Sequence, residues 1–252
     1  MSLKGKTLFV TGASRGIGLA IALRAARDGA NIVVAAKTAL PDPRLPGTIY
    51  TAAEEIEKAG GKALPAICDI RDEQSVSDAV EAAVKKFGGI DILVNNAGVG
   101  LMAPVDEFSL ADFDQTVAVN LRAAFVASQA AARRMAPGGR IVMIGSCNAE
   151  RMPFLGGAVY AMSKAGLVGL TKGLARDLGG RGITVNNVQP GPIDTDMNPA
   201  DTDFAGTIRE QILALPRYGT GDEVAAMVAY LCGPEAGFVT GASLTIDGGF
   251  TA

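Results

Sequence analysis

A short apolar run, Thr7 to Val10, ends at Thr11-Gly12-Ala13-Ser14-Arg15-Gly16-Ile17-Gly18 and passes directly into a helical run, Leu19 to Asp28. Bounded by Lys6 and Gly12, the apolar segment predicts a strand buried on both faces, as parallel strands are. Glycines in the turn let backbone N–H groups come close to an anion, and the N-terminus of the following helix favours negative charge. Strand, glycine turn and helix in that order suit a dinucleotide pyrophosphate. The spacing is G-x-x-x-G-x-G rather than the usual G-x-G-x-x-G, so a plain strand–turn–helix unit is still open at this point.

The alternation continues to the end of the chain. Strands are predicted over Asn31 to Ala36, Lys62 to Cys68, Ile90 to Val94, Arg140 to Ile144, Ile183 to Val188 and Ser243 to Ile246. Helices are predicted over Ile49 to Ala59, Glu73 to Phe87, Ala111 to Met135, Tyr160 to Leu178 and Asp222 to Leu231. Such alternation predicts an α/β fold, a Rossmann-like doubly wound parallel sheet of about seven strands with helices on both faces. No linker, repeat or low-complexity tract divides residues 1–252, which predicts one domain. Leu40 to Gly47, with three prolines, reads as an irregular loop, and Thr202 to Leu215 as a weakly patterned segment suited to a lid.

Several polar residues fall where such a sheet binds ligands, past the C-terminal ends of its strands. The second strand ends Ala35-Ala36-Lys37-Thr38, without the acid that would bind a ribose 2′-hydroxyl. Lys37 and Arg15 there favour a 2′-phosphate, hence NADP(H) over NAD(H), with NAD(H) still possible. Asp69, before Ile70, is placed to meet an adenine amine or to serve the helix starting near Asp72. Asn95-Asn96 can hold neighbouring loops, and Ala97-Gly98 leaves room for a flat ligand. Asn120 lies inside a helix between apolar neighbours and needs a partner. Ser146 ends the fifth strand, and the loop Met152 to Gly157 can line an apolar pocket.

Tyr160 and Lys164 stand at i and i+4, one turn apart on a single helical face. An ammonium beside a phenol favours the phenolate, which draws the tyrosine pKa down. A tyrosine so tuned can give a proton to a carbonyl oxygen or take one from an alcohol. Gly166, Gly169 and Gly173 on the same helix form a bare stripe that predicts close approach of another helix, as at a subunit interface.

Composition narrows the chemistry further. The 252-residue chain has no histidine, which removes His-based triads and His-ligated metal sites, and no metal site is expected. Its net charge of −3, with 19% charged residues, points to neither nucleic acid nor membrane as a partner. Three cysteines without C-x-x-C suit a reducing compartment. The N-terminal apolar run is too short for a signal peptide and nothing reaches transmembrane length, so a cytoplasmic protein is expected.

Taken in order, Thr11-Gly12-x-x-x-Gly16-x-Gly18, Asn95-Asn96-Ala97-Gly98, Ser146, Tyr160-x-x-x-Lys164 and Pro190-Gly191 closely resemble the short-chain dehydrogenase/reductase family in its single-domain form. The resemblance covers essentially the whole chain. It implies an oxidoreductase that moves hydride between NADP(H) and a carbonyl or secondary alcohol. It implies Tyr160 as general acid/base, Lys164 on the nicotinamide ribose, Ser146 on the reacting oxygen and Asn120 holding a relay water. Gly12, Ser14, Arg15, Gly16, Ile17 and Gly18 would surround the phosphates, Asp69 and Ile70 the adenine, and Asn96, Ala97 and Gly98 the adjoining ribose. Pro190, Gly191, Ile193 and Thr195 would hold the carboxamide end, and family members are often homotetramers. Ser146 stands fourteen positions before Tyr160, one more than the family usually has; Cys147 fits the spacing but is a weak donor, so Ser146 is assigned. Apolar candidates Leu101, Met152, Phe154 and Met197 imply a largely hydrophobic substrate. Gly145-Ser146-x-Asn148 through Arg151-Met152-Pro153 resembles a bacterial member described as binding cyclic-di-GMP, which supplies a rival reading, a nucleotide-binding regulator without turnover.

Overall fold

The computed structural model describes residues 3–43 and 45–252. Met1 and Ser2, and Arg44 within the loop expected to be irregular, lie outside the described residues. The strands are β1 (Thr7–Thr11), β2 (Asn31–Ala36), β3 (Lys62–Ile67), β4 (Ile90–Asn95), β5 (Met135–Ile144), β6 (Thr184–Pro190) and β7 (Ser243–Ile246). They form one seven-stranded sheet in the order β3-β2-β1-β4-β5-β6-β7, every pair parallel. This is the doubly wound Rossmann-like architecture that the alternation predicts.

Helices α1 (Gly16–Arg27), α2 (Ile49–Lys58) and α8 (Gly221–Cys232) cover one face of the sheet, and α3 (Glu73–Phe87), α5 (Ala123–Arg134) and α6 (Ala158–Gly179) the other. Side chains alternate along a strand, so Leu8 and Val10 enter the first layer while Phe9 enters the second. Both destinations are dry. That is why β1 reads as a continuous apolar run rather than an alternating one. Fully burying one such side chain stabilises the fold by about 1.5–3 kcal/mol. Local signals fix the helix ends. Thr48 and Thr220 each close a capping box, Asp72 accepts from Gln74 N at 2.9 Å, and Gly88 ends α3 at φ 89°.

Three segments differ from the sequence reading. The helix expected over Ala111 to Met135 is α4 (Leu110–Val117), a π-helical turn (Ala118–Arg122) and α5, with Met135 already in β5. Asn120 sits buried in the π turn. The fifth strand starts five residues before Arg140, because Met135 pairs with Ile90 before the partners step to Ile92–Arg140 across a register shift. Pro137, which has no N–H, and Gly138, at φ 85°, occupy that irregular stretch. The segment expected to be weakly patterned carries α7 (Asp203–Gln211), N-capped by Thr202, with Ala205 and Ile208 packed beside Cys147, Leu213, Tyr218 and Phe250.

Candidate active site

The strand order reverses between β1 and β4, the point that open sheets use as a binding crevice. Thr11 at the end of β1 bridges it. Its Oγ1 accepts from Asn96 N at 3.0 Å and Ala97 N at 3.1 Å, while Asn96 Nδ2 donates to Thr11 O at 2.9 Å and Gly12 O at 3.1 Å. The tandem amide at the end of β4 is therefore a clasp on the glycine turn. Gly12 and Gly16 take φ of 68° and 56°, open to glycine without strain. A Cβ on Gly18 would stand 2.5 Å from both Asn96 Nδ2 and Gly12 O. Gly18 lies behind the turn and lets α1 dock; it does not line the crevice with the residues expected to surround the phosphates.

A cleft of about 670 Å³ runs from this turn along the C-terminal edge of the sheet. It is lined by Gly12, Ser14, Arg15, Gly16, Ile17, Lys37, Asp69, Ile70, Asn96, Ala97, Gly98, Ser146, Tyr160, Lys164, Pro190, Gly191, Ile193 and Thr195. Of the catalytic and cofactor-binding residues expected from the sequence, Gly18 and Asn120 are the two outside this lining.

At one end the lining is cationic. Arg15 Nε donates to Pro46 O at 2.8 Å and its Nη2 to Gly47 O at 3.0 Å, which pins the proline-rich loop onto the glycine turn. Lys37 is exposed beside it. Asp69 is held by Arg71, with Arg71 Nη2 at 2.6 Å from Oδ2 and Arg71 Nε at 3.0 Å from Oδ1. That hydrogen-bonded ion pair lowers the Asp69 carboxyl to about 2. The cap of α3 is Asp72, so Asp69 is not needed for it. Arg71 lines the cleft too and was missed; in the sequence it is one more surface arginine, and only the turn that folds it back onto Asp69 sets it apart.

At the other end the polar groups converge. Ser146 Oγ donates to Asn148 Oδ1 at 3.2 Å and accepts from Asn148 N at 3.2 Å. Cys147, the residue that fits the family spacing, is buried in the small cluster under α7, and burial pushes its thiol up to about 12. Burial raises the Tyr160 phenol above its ordinary value, and a hydrogen bond with Ser146 works against that rise. The lowering by Lys164 that the i, i+4 spacing suggests does not appear in this structure. Lys164 Nζ is 5.7 Å from the Tyr160 ring centroid and donates to Ile144 O at 3.0 Å. Burial of the ammonium brings Lys164 itself down to about 8. Asn120, buried in its π turn, has both amide hydrogens and one Oδ1 lone pair engaged. Its Oδ1 accepts from Val99 N at 2.8 Å, and Nδ2 donates to Val99 O and Ser163 Oγ, each at 3.0 Å. A polar side chain in mid-helix here docks the strand-end segment onto α6.

Beyond Tyr160 the walls turn apolar. Phe154 and Met197 line the cleft as expected; Leu101 and Met152 do not, and Met102, Phe204 and Phe250 join instead. Phe154 meets Phe204 edge to face at 5.0 Å between centroids and lies 6.1 Å from Phe250. Phe250 comes from the far end of the chain, held by Arg151 Nη1 donating to its carbonyl, so no local pattern marks it.

The buried lysine has a thermodynamic consequence. Folded Lys164 has a pKa near 8 against an ordinary lysine value of 10.5. Between those values the unfolded chain binds the proton that the folded chain has released, so stability rises with pH across that window. Below about pH 8 the cost of burying the ammonium is present in full. The wild type is therefore expected to gain stability relative to Lys164→Met between pH 7 and pH 10, as read by urea unfolding at both; a gap that does not move with pH contradicts the assignment.

A family model described as enoyl-(acyl carrier protein) reductase matches residues 12–251. A short-chain dehydrogenase/reductase from Serratia marcescens is 54% identical, with a TM-score of 0.94 and full coverage of both chains. A short-chain dehydrogenase from Burkholderia cenocepacia, solved in complex with NADP, is 48% identical with a TM-score of 0.94, again over both full chains. A cyclic-di-GMP-binding biofilm dispersal mediator protein from Escherichia coli is 45% identical over 251 residues, 98% of each chain. Together with the parallel sheet and the cleft at its reversal point, these likenesses establish that the chain belongs to the short-chain dehydrogenase/reductase family.

Proposed function

We propose that the protein is an NADP(H)-dependent oxidoreductase that interconverts carbonyl compounds and secondary alcohols, folded as one domain. The observation that carries this reading is the convergence of Ser146, Tyr160 and Lys164 at one end of a cleft whose other end presents Arg15 and Lys37. The cleft fits a dinucleotide. Its floor is a glycine turn at a helix N-terminus, where a Cβ on Gly16 would fill space next to Thr195 Cγ2 at 3.7 Å. Gly12, Ser14, Arg15, Gly16 and Ile17 would hold the pyrophosphate, and Asp69 and Ile70 the adenine. Asn96, Ala97 and Gly98 would hold the ribose beside the adenine, and Pro190, Gly191, Ile193 and Thr195 the carboxamide. NADP bound to the Burkholderia relative supports that occupant.

When bound, the nicotinamide supplies or accepts the hydride. Tyr160 protonates the carbonyl oxygen as negative charge grows there, and Ser146 donates a second hydrogen bond to it. Lys164 holds the nicotinamide ribose and presents its charge behind the phenol. Asn120 fixes the Val99 main chain near Lys164 and would carry the relay water to it. The apolar walls favour a largely hydrophobic carbonyl substrate. Helix α7, which carries Phe204 over the cleft, is the lid. The three buried free thiols suit a reducing, cytoplasmic setting. Among the described residues, no helix is long and apolar enough to cross a membrane.

A second reading rests on the Escherichia coli relative, whose name describes cyclic-di-GMP binding. A binding module has no chemical need for a serine, tyrosine and lysine on one side of the cleft, which favours turnover. Assembly is proposed through α6. A Cβ on Gly166 would meet Leu121 of the same chain at 3.0 Å, while at Gly169 and Gly173 it would meet nothing within 4 Å. That bare stretch is free to receive the same helix of another copy, as one of the two interfaces that a homotetramer needs.

Three outcomes are expected. Tyr160→Phe loses turnover by at least about a hundredfold and keeps NADPH binding, read by fluorescence titration; full activity sinks the mechanism. Lys37→Ala weakens NADPH about tenfold or more and NADH little, since Arg15 is partly spent on Pro46 and Gly47; equal effects refute the 2′-phosphate contact. Hydrodynamic mass at micromolar concentration corresponds to four chains, and a monomer rules out the α6 interface.

A further inference from the structure

Asn148 lies two residues past Ser146 and lines the cleft, yet the proton-transfer scheme leaves it without a role. Its carboxamide has a fixed orientation. Oδ1 accepts from Ser146 Oγ at 3.2 Å and Cys147 Sγ at 3.5 Å, whereas an oxygen in the NH2 position would face Met152 Sδ, which has no hydrogen to give; when Ser146 turns its one hydrogen to a substrate, Cys147 still donates to Oδ1. Burial keeps the Cys147 thiol protonated to about pH 12, so it remains a donor throughout the working range. The NH2 group is correspondingly turned the other way. One of its hydrogens meets Met152 Sδ at 3.2 Å, and the other has no partner among the described residues. A thioether is a weak acceptor. Asn148 therefore presents a strong amide donor with almost nothing to bond, next to the serine that would hold the reacting oxygen.

We propose that Asn148 is a substrate-recognition residue whose amide selects carbonyl compounds bearing a second oxygen acceptor beside the reacting carbonyl, such as vicinal diketones and α-keto esters. This rests on the reductase reading and specifies its substrate class. Ser146 caps the short 3-10 turn that carries Asn148 and both line the cleft, so hydrogen bonds of about 3 Å from each would reach oxygens on adjacent carbons. A lone ketone oxygen satisfies Ser146 and Tyr160 and leaves the amide on its thioether. A neighbouring carbonyl replaces the sulfur with a better acceptor, and the apolar walls accept the rest of the molecule. The same contact fixes which carbonyl is reduced, because only one of the two faces Tyr160.

The test compares 1-phenyl-1,2-propanedione with propiophenone, each reduced with NADPH, as a ratio of kcat/KM. Asn148→Asp keeps an oxygen for Ser146 and Cys147 but removes both amide hydrogens. The ratio is expected to fall about tenfold in that variant, whereas a purely structural role would slow both substrates alike and leave it unchanged. Met152→Leu, which removes only the weak acceptor, is expected to hold the ratio or raise it. An unchanged ratio in Asn148→Asp, or a fall in Met152→Leu, overturns the inference. So does a wild type that reduces propiophenone alone or, with NADPH bound, neither compound, and reduction of propiophenone alone leaves the reductase reading intact. Failure to bind NADPH at all removes that reading, and this one with it.

Discussion

The clasp between Thr11-Gly12 and Asn96-Ala97 is the constraint on which the site depends. Its bonds join the ends of two neighbouring parallel strands whose following crossovers run to opposite sides of the sheet, at the point where the strand order reverses. Thr11 Oγ1 cannot rotate freely, since it accepts two N–H groups and faces Val94 O at 3.5 Å. Each bond contributes only about 0.5–1.5 kcal/mol net. Their joint effect is geometric. They set how far the glycine turn stands from Ala97 and Gly98, and Gly18 must be a glycine because the clasp runs against it.

The fold was legible because its signals are local and repeated. A strand buried on both faces is a short apolar run, and Asp72, Gly88, Thr48 and Thr220 punctuate the helices between. Legibility failed where a distant partner decides. The π turn at Ala118–Arg122 follows from the demand of Val99 on Asn120, which no propensity encodes. The early start of β5 follows from Met135 finding Ile90 across an irregular loop, and Phe250 joins the cleft through distant partners, Arg151 on its carbonyl and the cluster under α7 around its ring.

The candidate site divides the same way. Tyr160 and Lys164 are recognisable from spacing, since a helix guarantees their proximity. Their electrostatics were not. The lysine is turned toward Ile144 O and is itself perturbed by burial, while the tyrosine responds to burial and Ser146. Arg15 and Lys37 look equivalent as charges in the sequence. In three dimensions one is a strut for a loop and the other faces solvent at the mouth of the cleft. Arg71 and Asn148 are ordinary surface types until their partners are known.

The π turn has a further consequence. Thr116, Asn120, Ala124 and Ser128 are all buried and recur every four residues. An α-helix has 3.6 residues per turn, so positions four apart drift by about 40° per step. The wider turn absorbs part of that drift and keeps all four facing inward. As a result one helical rod holds the end of β4 at two points, Ser128 on Asn95 at 3.0 Å and Asn120 on Val99. Asn96, Ala97 and Gly98 are strung between those anchors like a wire between two posts. Deleting Ala118 from the turn would swing one post away, and the span along the cleft would slacken with no lining residue removed.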